Sequence, residues 1–340
     1  MILETTMKRK TKNKILVVAD RLDLHADKIV EKLYAKNHEV FRFNFADMLS
    51  DTSCHWLLTD QEDMQLIELH GGHTLNLTEV KSALYRKINR VRPIENSTEN
   101  EAEQSFIHYE VREFYEGIAR LMNCFWINDP VFLVNSFWRM PQLSIAKSIG
   151  FNVPKSIVTN SPLEMSKFLN SSTNDFCIKR LTNTRVYPSI NKGLWTTIIN
   201  KTDYEEFANA TKFCSTFVQE YIPKQFEIRL IVIGNKFFAS KIYSQDCKNA
   251  IMDWRQGQLD DLKQEPYEIS EKIKLLSLKL LKRLGLFFGA FDFIVTPDNN
   301  YYFLEVNPTG QWLWLENELG LQISDCFADY LINPPKDGLK

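Results

Sequence analysis

The residues best suited to chemistry stand near the C-terminus, where Asp292 in AFDFIV and Glu305 in YYFLEVN flank Pro297-Asp298-Asn299-Asn300. A two-residue turn at Asp298-Asn299 puts the two carboxylates opposite each other on paired strands, and alternation puts Asn307 on the same face. Like charges facing across a ladder sit about 5 Å apart at Cβ and repel unless positive charge lies between them. Aromatic and aliphatic neighbours on both strands make an uncompensated charge there costly. A divalent cation is the natural filler: oxygen donors of this kind suit a hard ion, and magnesium is held by a few carboxylates together with substrate phosphates. The plainer reading of this segment alone is an edge hairpin with solvated acids.

Cations that could meet a phosphate lie upstream on separate segments. Arg139 opens RMPQLSIAKSIG, Lys179 lies in FCIKRL, Arg229 stands two residues after Glu227 in EIR, and Arg255 follows Asp253-Trp254. A lysine amid apolar strand residues, as Lys179 is, needs an anionic partner. Arg139 reads equally well as a solvated charge at a helix start, and Arg255 as a surface charge on a loop. Lys241 in FASKIYSQ falls on the opposite face from Arg229 when the count runs through the Gly234-Asn235 turn.

The elements that must carry these residues follow from periodicity. KILVVA, a helical stretch over residues 20–37 and HEVFRFNF make a βαβ opening, followed by the strand-like WLLTD, MQLIELHG and HTLNL and a long helix over residues 99–123. Asn128-Asp129-Pro130 stops that helix and marks a boundary. A second segment holds helices over residues 140–149, 162–169 and 203–210, strands at FCIKRL and GLWTTII, and a polar loop around residues 183–191. The third holds STFVQEYI, the hairpin EIRLIVIGNKFFASKIY, a helix over residues 270–284 and the acid hairpin. The expectation is an α/β (α+β) chain in three parts, residues 13–128, 129–215 and 216–335.

The 340 residues, 44% of them hydrophobic, suffice for packed units sharing a cleft, and Lys plus Arg number 41 against 43 acids, so no whole-chain charge recruits nucleic acid. Six cysteines without a CxxC pair read as buried thiols in a reducing cytoplasm. His70 and His73 in HGGH lack a third ligand nearby and read as a turn. The apolar run after the basic N-terminus is too short for a signal peptide or a membrane span. Glycine numbers only 12, and neither GxGxxG nor GxxxxGKS occurs, so no Walker or Rossmann loop holds a nucleotide. No Ser-His-Asp or Cys-His nucleophile is evident.

The spacing of Asp292, Glu305 and Asn307, with Glu305-Val306-Asn307-Pro308, resembles the magnesium motif of the ATP-grasp superfamily. Continued through Thr309-Gly310-Gln311-Trp312-Leu313-Trp314-Leu315-Glu316, it resembles the NPxGQWLWLE signature of the ATP-grasp peptide maturases that make microviridins and other graspetides. The resemblance implies a three-part ATP-grasp fold with its nucleotide cleft between the central and C-terminal domains, and ATP and Mg2+ as cofactors. It implies phosphate contacts from Arg139, where related enzymes usually carry lysine, and from Lys179. The stretch TFVQEYI would be the hinge, with Gln219 beginning the turn and main-chain groups of Glu220, Tyr221 and Ile222 along the adenine edge. Glu227 would meet the ribose or a second metal shell, Arg229 the phosphates or the acyl intermediate, and Lys241 holds a lower place in the nucleotide set. Arg255, in a DWR element, would neutralise the transferred phosphoryl group.

The reaction so implied transfers the γ-phosphoryl of ATP to an Asp or Glu side chain of a ribosomal precursor peptide. Attack by a Thr or Ser hydroxyl or a Lys amine of the same peptide then closes an ester or amide macrocycle. A leader segment of the precursor would dock elsewhere, with residues 182–197 and 246–267 as candidates, in a cytoplasmic enzyme with no nucleic-acid or membrane partner that allows a homodimer. Another ATP-grasp carboxylate–amine ligase, such as a ribosomal-protein glutamate ligase, remains open, as do a silent binding module and a structural partner in a complex.

Overall fold

The computed structural model describes residues 12–44, 52–58, 63–69, 73–86, 100–181, 196–257 and 262–335. The expected polar loop around residues 183–191, most of the first leader-docking candidate, and the Gly71-Gly72 turn of HGGH lie outside them. The chain packs as two units, neither contiguous: residues 1–134, 285–288 and 311–340 form one, residues 135–284 and 289–310 the other.

The first unit holds β1 (Lys14–Ala19), α1 (Leu24–Ala35), β2 (Val40–Asn44), β3 (Thr52–Leu58), β4 (Asp63–Leu69), β5 (His73–Asn76), β6 (Val80–Tyr85), α2 (Glu101–Leu121) and β7 (Phe125–Ile127). The strands β2-β1-β6-β7 pair in parallel, and β3-β4-β5 form an antiparallel sheet. KILVVA is buried along its whole apolar run, as a central parallel strand requires. The strand β6 had no signal in the sequence because Lys81 and Ser82 break its apolar run; Ser82 is buried all the same, its hydroxyl donating to Leu331 O at 2.6 Å. Helix α1 begins at Asp23, whose carboxylate caps Ala26 N–H, and ion pairs from Lys32 and Lys36 to Asp325 and Asp329 bind it to helix Ile323–Ile332 of the same unit.

The second unit begins within α3 (Pro130–Ser136), a short helix where sequence suggested only a break, and holds α4 (Arg139–Ile149), β8 (Ser156–Thr159), α5 (Pro162–Leu169), β9 (Phe176–Lys179), β10 (Thr197–Ile199), α6 (Tyr204–Ala210), β11 (Thr216–Glu220), β12 (Phe226–Ile233), β13 (Lys236–Ile242), β14 (Gln264–Pro266), α7 (Glu271–Leu284), nearly all of β15 (Phe288–Val295) and β16 (Tyr301–Asn307). One antiparallel sheet runs β10-β9-β11-β8, the other β14-β13-β12-β15-β16. The strand β11 belongs to the first of these, so the expected start of a C-terminal part at residue 216 falls inside that sheet. Every residue of β12 and β15 is buried, which makes these central strands the rigid platform for any side chain they carry.

Candidate active site

The strands β15 and β16 pair with Asp292 opposite Glu305 and Ala290 opposite Asn307, as the sequence count gave, but by another route. The connection is a three-residue loop, residues 297–299, with Asn299 left-handed at φ 58° and Thr296 N–H donating to Asn300 O at 3.0 Å. That loop shifts the register by one, so Phe293 faces Phe303, and an irregularity between Asp292 and Phe293 shifts it back. The extra residue, Leu304, is a bulge of the kind that redirects side chains.

Guanidinium groups meet the acids. Arg229 on β12 donates from Nη1 to both carboxylate oxygens of Asp292 at 3.0 Å, and Arg139, the first residue of α4, reaches Glu305 at 2.5 Å. Arg255 Nη1 lies 3.6 Å from Glu305, while its Nε and Nη2 grip Asp253 at 2.8 and 2.7 Å. Three arginines on separate elements thus supply positive charge beside the acids. Burial raises the Asp292 carboxyl above its ordinary range against the pull of Arg229, with Glu305 adding to the rise. Burial also acts to raise Glu305, but Arg139, Arg255 and Lys179 together hold it below the ordinary range.

Among the described residues, two cationic groups beside the acids lack a hydrogen-bond partner: the buried Arg139 Nε and the Lys179 ammonium at the end of β9. Burial, with Arg139 and Arg255 nearby, lowers the Lys179 amine, and Glu305 partly offsets this. A cation so placed fits a phosphate. Asn307 Oδ1 accepts from Thr309 N–H at 3.0 Å, which fixes the carboxamide and turns the chain toward Gly310. A Cβ at Gly310 would collide with Ala290 and come within 2.8 Å of Arg229 Nη2, so the loop after Asn307 lies directly on the arginine. Among the described residues no three His, Cys, Asp or Glu side chains gather into a metal cluster, so a cation here would rest on Asp292, Glu305, the Asn307 oxygen and oxygens of a bound ligand.

Other expected site residues lie elsewhere. Gln219 donates to Ser156 Oγ at 2.9 Å and Glu220 accepts from Asn174 at 2.6 Å, so both side chains hold the β8-β9-β11 sheet. The N–H groups of Glu220 and Tyr221 donate to Lys155 O and Asp175 O, which leaves the Ile222 N–H, unpartnered among the described residues, as the open donor of that stretch. Glu227 is bound by Lys224 at 2.6 Å, both side chains almost fully buried, and Lys224 also donates to Met252 O at 3.3 Å. Sequence reading missed Lys224; its one signal was a cation three residues before an acid at a strand start. Lys241 is not brought to the acids. It lies over the rings of Phe226 and Tyr243, at 4.6 and 4.4 Å from their centroids, and pairs with Glu265 at 3.5 Å. Its ladder partner is Ile228 and that of Arg229 is Ser240, so the two face opposite sides of the sheet.

The tryptophan-rich string has a structural part to play in the first unit. Trp312 is fully buried, stacks on Phe327 at 4.4 Å and donates from its indole to Ser324 Oγ at 3.1 Å. Glu316 accepts from the N–H and hydroxyl of Ser324 at 2.8 and 2.7 Å, and the buried Arg86 guanidinium lies 4.6 Å from the Trp312 ring centroid.

The family model of the RimK-like ATP-grasp domain matches residues 143–331, over half of the chain. This chain belongs to the RimK-like ATP-grasp family. Residues 14–132 match the MvdD pre-ATP-grasp domain. A curated relative, the alpha-aminoadipate–LysW ligase LysX of Sulfurisphaera tokodaii, is 27% identical over 185 residues, 53% of this chain and 62% of that protein, so the chain spans less than two thirds of that relative's length. Among solved structures, the RiPP-associated ATP-grasp ligase of Chryseobacterium gregarium, in complex with ADP and a leader and core peptide, superposes with a TM-score of 0.87 at 26% identity, over 95% of this chain and 97% of that one. The macrocyclase MdnC of Microcystis aeruginosa, bound with precursor peptide MdnA, does so with a TM-score of 0.81 at 26% identity, over 94% and 99%.

Proposed function

We propose that this ligase uses ATP to activate Asp or Glu side-chain carboxylates of a ribosomally made precursor peptide and joins them to Thr or Ser hydroxyls or Lys amines of the same peptide. The reading rests chiefly on one observation: an acid pair ringed by arginines, with the Lys179 ammonium and Arg139 Nε lacking hydrogen-bond partners among the described residues. Similarity to peptide-bound relatives supplies the substrate class.

In this reading Lys179 and Arg139 bind the phosphates, and the Ile222 N–H meets the adenine edge. Asp292, Glu305 and Asn307 would hold magnesium, which when bound offsets phosphate charge. Arg229, flat against the Gly310 loop, and Arg255, fixed by Asp253, stand where an acyl phosphate and its acceptor would sit, and their fixed charge favours a transition state that gathers negative charge on oxygen. Arg139, paired with Glu305, would exchange the carboxylate for phosphate as nucleotide enters, which would leave Glu305 free to serve as an oxygen donor. ATP transfers its γ-phosphoryl to the carboxylate, the hydroxyl or amine then displaces phosphate, and ADP, phosphate and one ring remain.

The curated relative LysX favours a second reading, ligation of a free amino acid to a protein carboxylate. Release of ADP separates the two. Steady-state ADP formation with Mg-ATP should start on adding an acid-rich precursor peptide alone; ADP formation that requires added free glutamate or another amine supports the second reading and rejects the first.

A further inference from the structure

The strand β16 is the last of its sheet, and it carries Glu305 and Asn307 on either side of Val306. An edge strand leaves main-chain groups on its outer side without a ladder partner. At Val306 a side chain replaces the missing strand. Val306 N–H donates to Gln142 Oε1 at 3.0 Å, and Gln142 Nε2 donates to Val306 O at 2.8 Å and to Ser136 O at 2.5 Å. Gln142 is only 3% exposed, so these bonds have no water to substitute for them. One helical turn earlier on α4, Arg139 carries the ion pair to Glu305, so a single helix face sets both the main chain and the charge of the strand.

We propose that Gln142 is the positioning residue for the cation set. Its carboxamide fixes the peptide groups between Glu305 and Asn307 and thereby the separation of their oxygens, without itself touching nucleotide or cation. The inference rests on the reading of Asp292, Glu305 and Asn307 as the magnesium ligands. It implies that geometry at this site depends on both halves of the carboxamide: methionine of equal length removes both bonds, whereas glutamate keeps an acceptor for Val306 N–H and loses the donor to Val306 O.

The test is calorimetric titration of the full chain with ADP, with and without magnesium chloride, for the wild type, Gln142→Met, Gln142→Glu and Leu280→Ala. Leu280 is a fully buried residue of α7, and its truncation reports loss of stability alone. In the wild type magnesium tightens ADP binding. Gln142→Met should keep its magnesium-free affinity within twofold of wild type and lose at least tenfold of the magnesium-dependent gain, with Gln142→Glu between. Leu280→Ala should melt lower and keep the whole gain. A gain within twofold of wild type in Gln142→Met overturns the proposal. Should that variant fail to melt cooperatively, Gln142→Glu decides: a gain reduced at least threefold supports the role, and an unchanged gain rejects it. No magnesium effect in the wild type would instead reject the cation set itself, and the positioning role with it.

Discussion

Replacing Lys224 by methionine isolates the buried ion pair behind the site. Lys224 and Glu227 meet at 2.6 Å with side chains 2% and 6% exposed, and Lys224 also holds Met252 O, the carbonyl just before Asp253. Without the lysine, Glu227 must stay protonated or bury an unpaired charge. Keeping a carboxyl of ordinary value 4.5 protonated at pH 7 costs about 3.4 kcal/mol at 1.36 kcal/mol per pH unit, which sets a ceiling, and only about 0.7 kcal/mol at pH 5. Burial already raises Glu227 in the intact pair, against the pull of Lys224, so part of that cost is present in the wild type. With about 1 kcal/mol for the lost bond to Met252, the expected loss is about 3 kcal/mol at pH 7 and about 1 kcal/mol at pH 5. The sign follows from linkage. A carboxyl raised in the folded state contributes stability that is complete below its unfolded value and is lost as pH rises through its folded value. Removing Lys224 moves the folded value higher and widens that range. Urea unfolding followed by tryptophan fluorescence at both pH values measures the difference, and Lys224→Met with Glu227→Gln should recover stability to within about 1.5 kcal/mol of wild type. Equal losses at pH 5 and pH 7 would refute the electrostatic account.

Asp292→Asn and Glu305→Gln should each lower the magnesium-dependent rate of ADP release by about 100-fold, seen in initial rates across a magnesium series. Because burial, with Arg139 and Arg255, lowers the Lys179 amine below its ordinary 10.5, ADP affinity should fall as pH rises through that lowered range. Lys179→Met should bind ADP about 10-fold more weakly near pH 7 and lack the alkaline fall, both read by titration from pH 7 to 10. Over the same range a lysine lowered by folding gains stability with pH, so melting and affinity should move in opposite directions. Lys241→Ala, on the far face of the sheet between Phe226 and Tyr243, should leave ADP affinity within about twofold, by the same titration, since the side chain it removes does not face the acids.

What the sequence disclosed depended on how local the cause was. The strand KILVVA and the helix Pro162–Leu169 were legible to the residue, because an apolar run and a Ser161 cap with proline at the helix start are encoded within a few positions. The pairing of Asp292 with Glu305 was read correctly although the loop was not: the left-handed Asn299 adds a residue to the turn, and the bulge at Leu304 cancels it, which no alternation pattern shows. β6 was missed because its buried Ser82 is satisfied by a carbonyl 249 residues away. The same distance in sequence hid Gln142, whose partner Val306 is 164 residues on, and hid the arginines as the acids' counter-charges. Trp312 stood out as part of a signature, and its burial against Phe327 and Arg86 places it in the core of the first unit.

The central claim is that this ATP-grasp ligase closes rings within a peptide. Intact-mass analysis of an acid-rich precursor peptide, after incubation with Mg-ATP, tests it most directly. The account predicts loss of one water per ring with one ADP formed for each, slowed about 100-fold in Asp292→Asn. A peptide that gains the mass of an added amino acid, or stays unchanged while ADP accumulates, would contradict it.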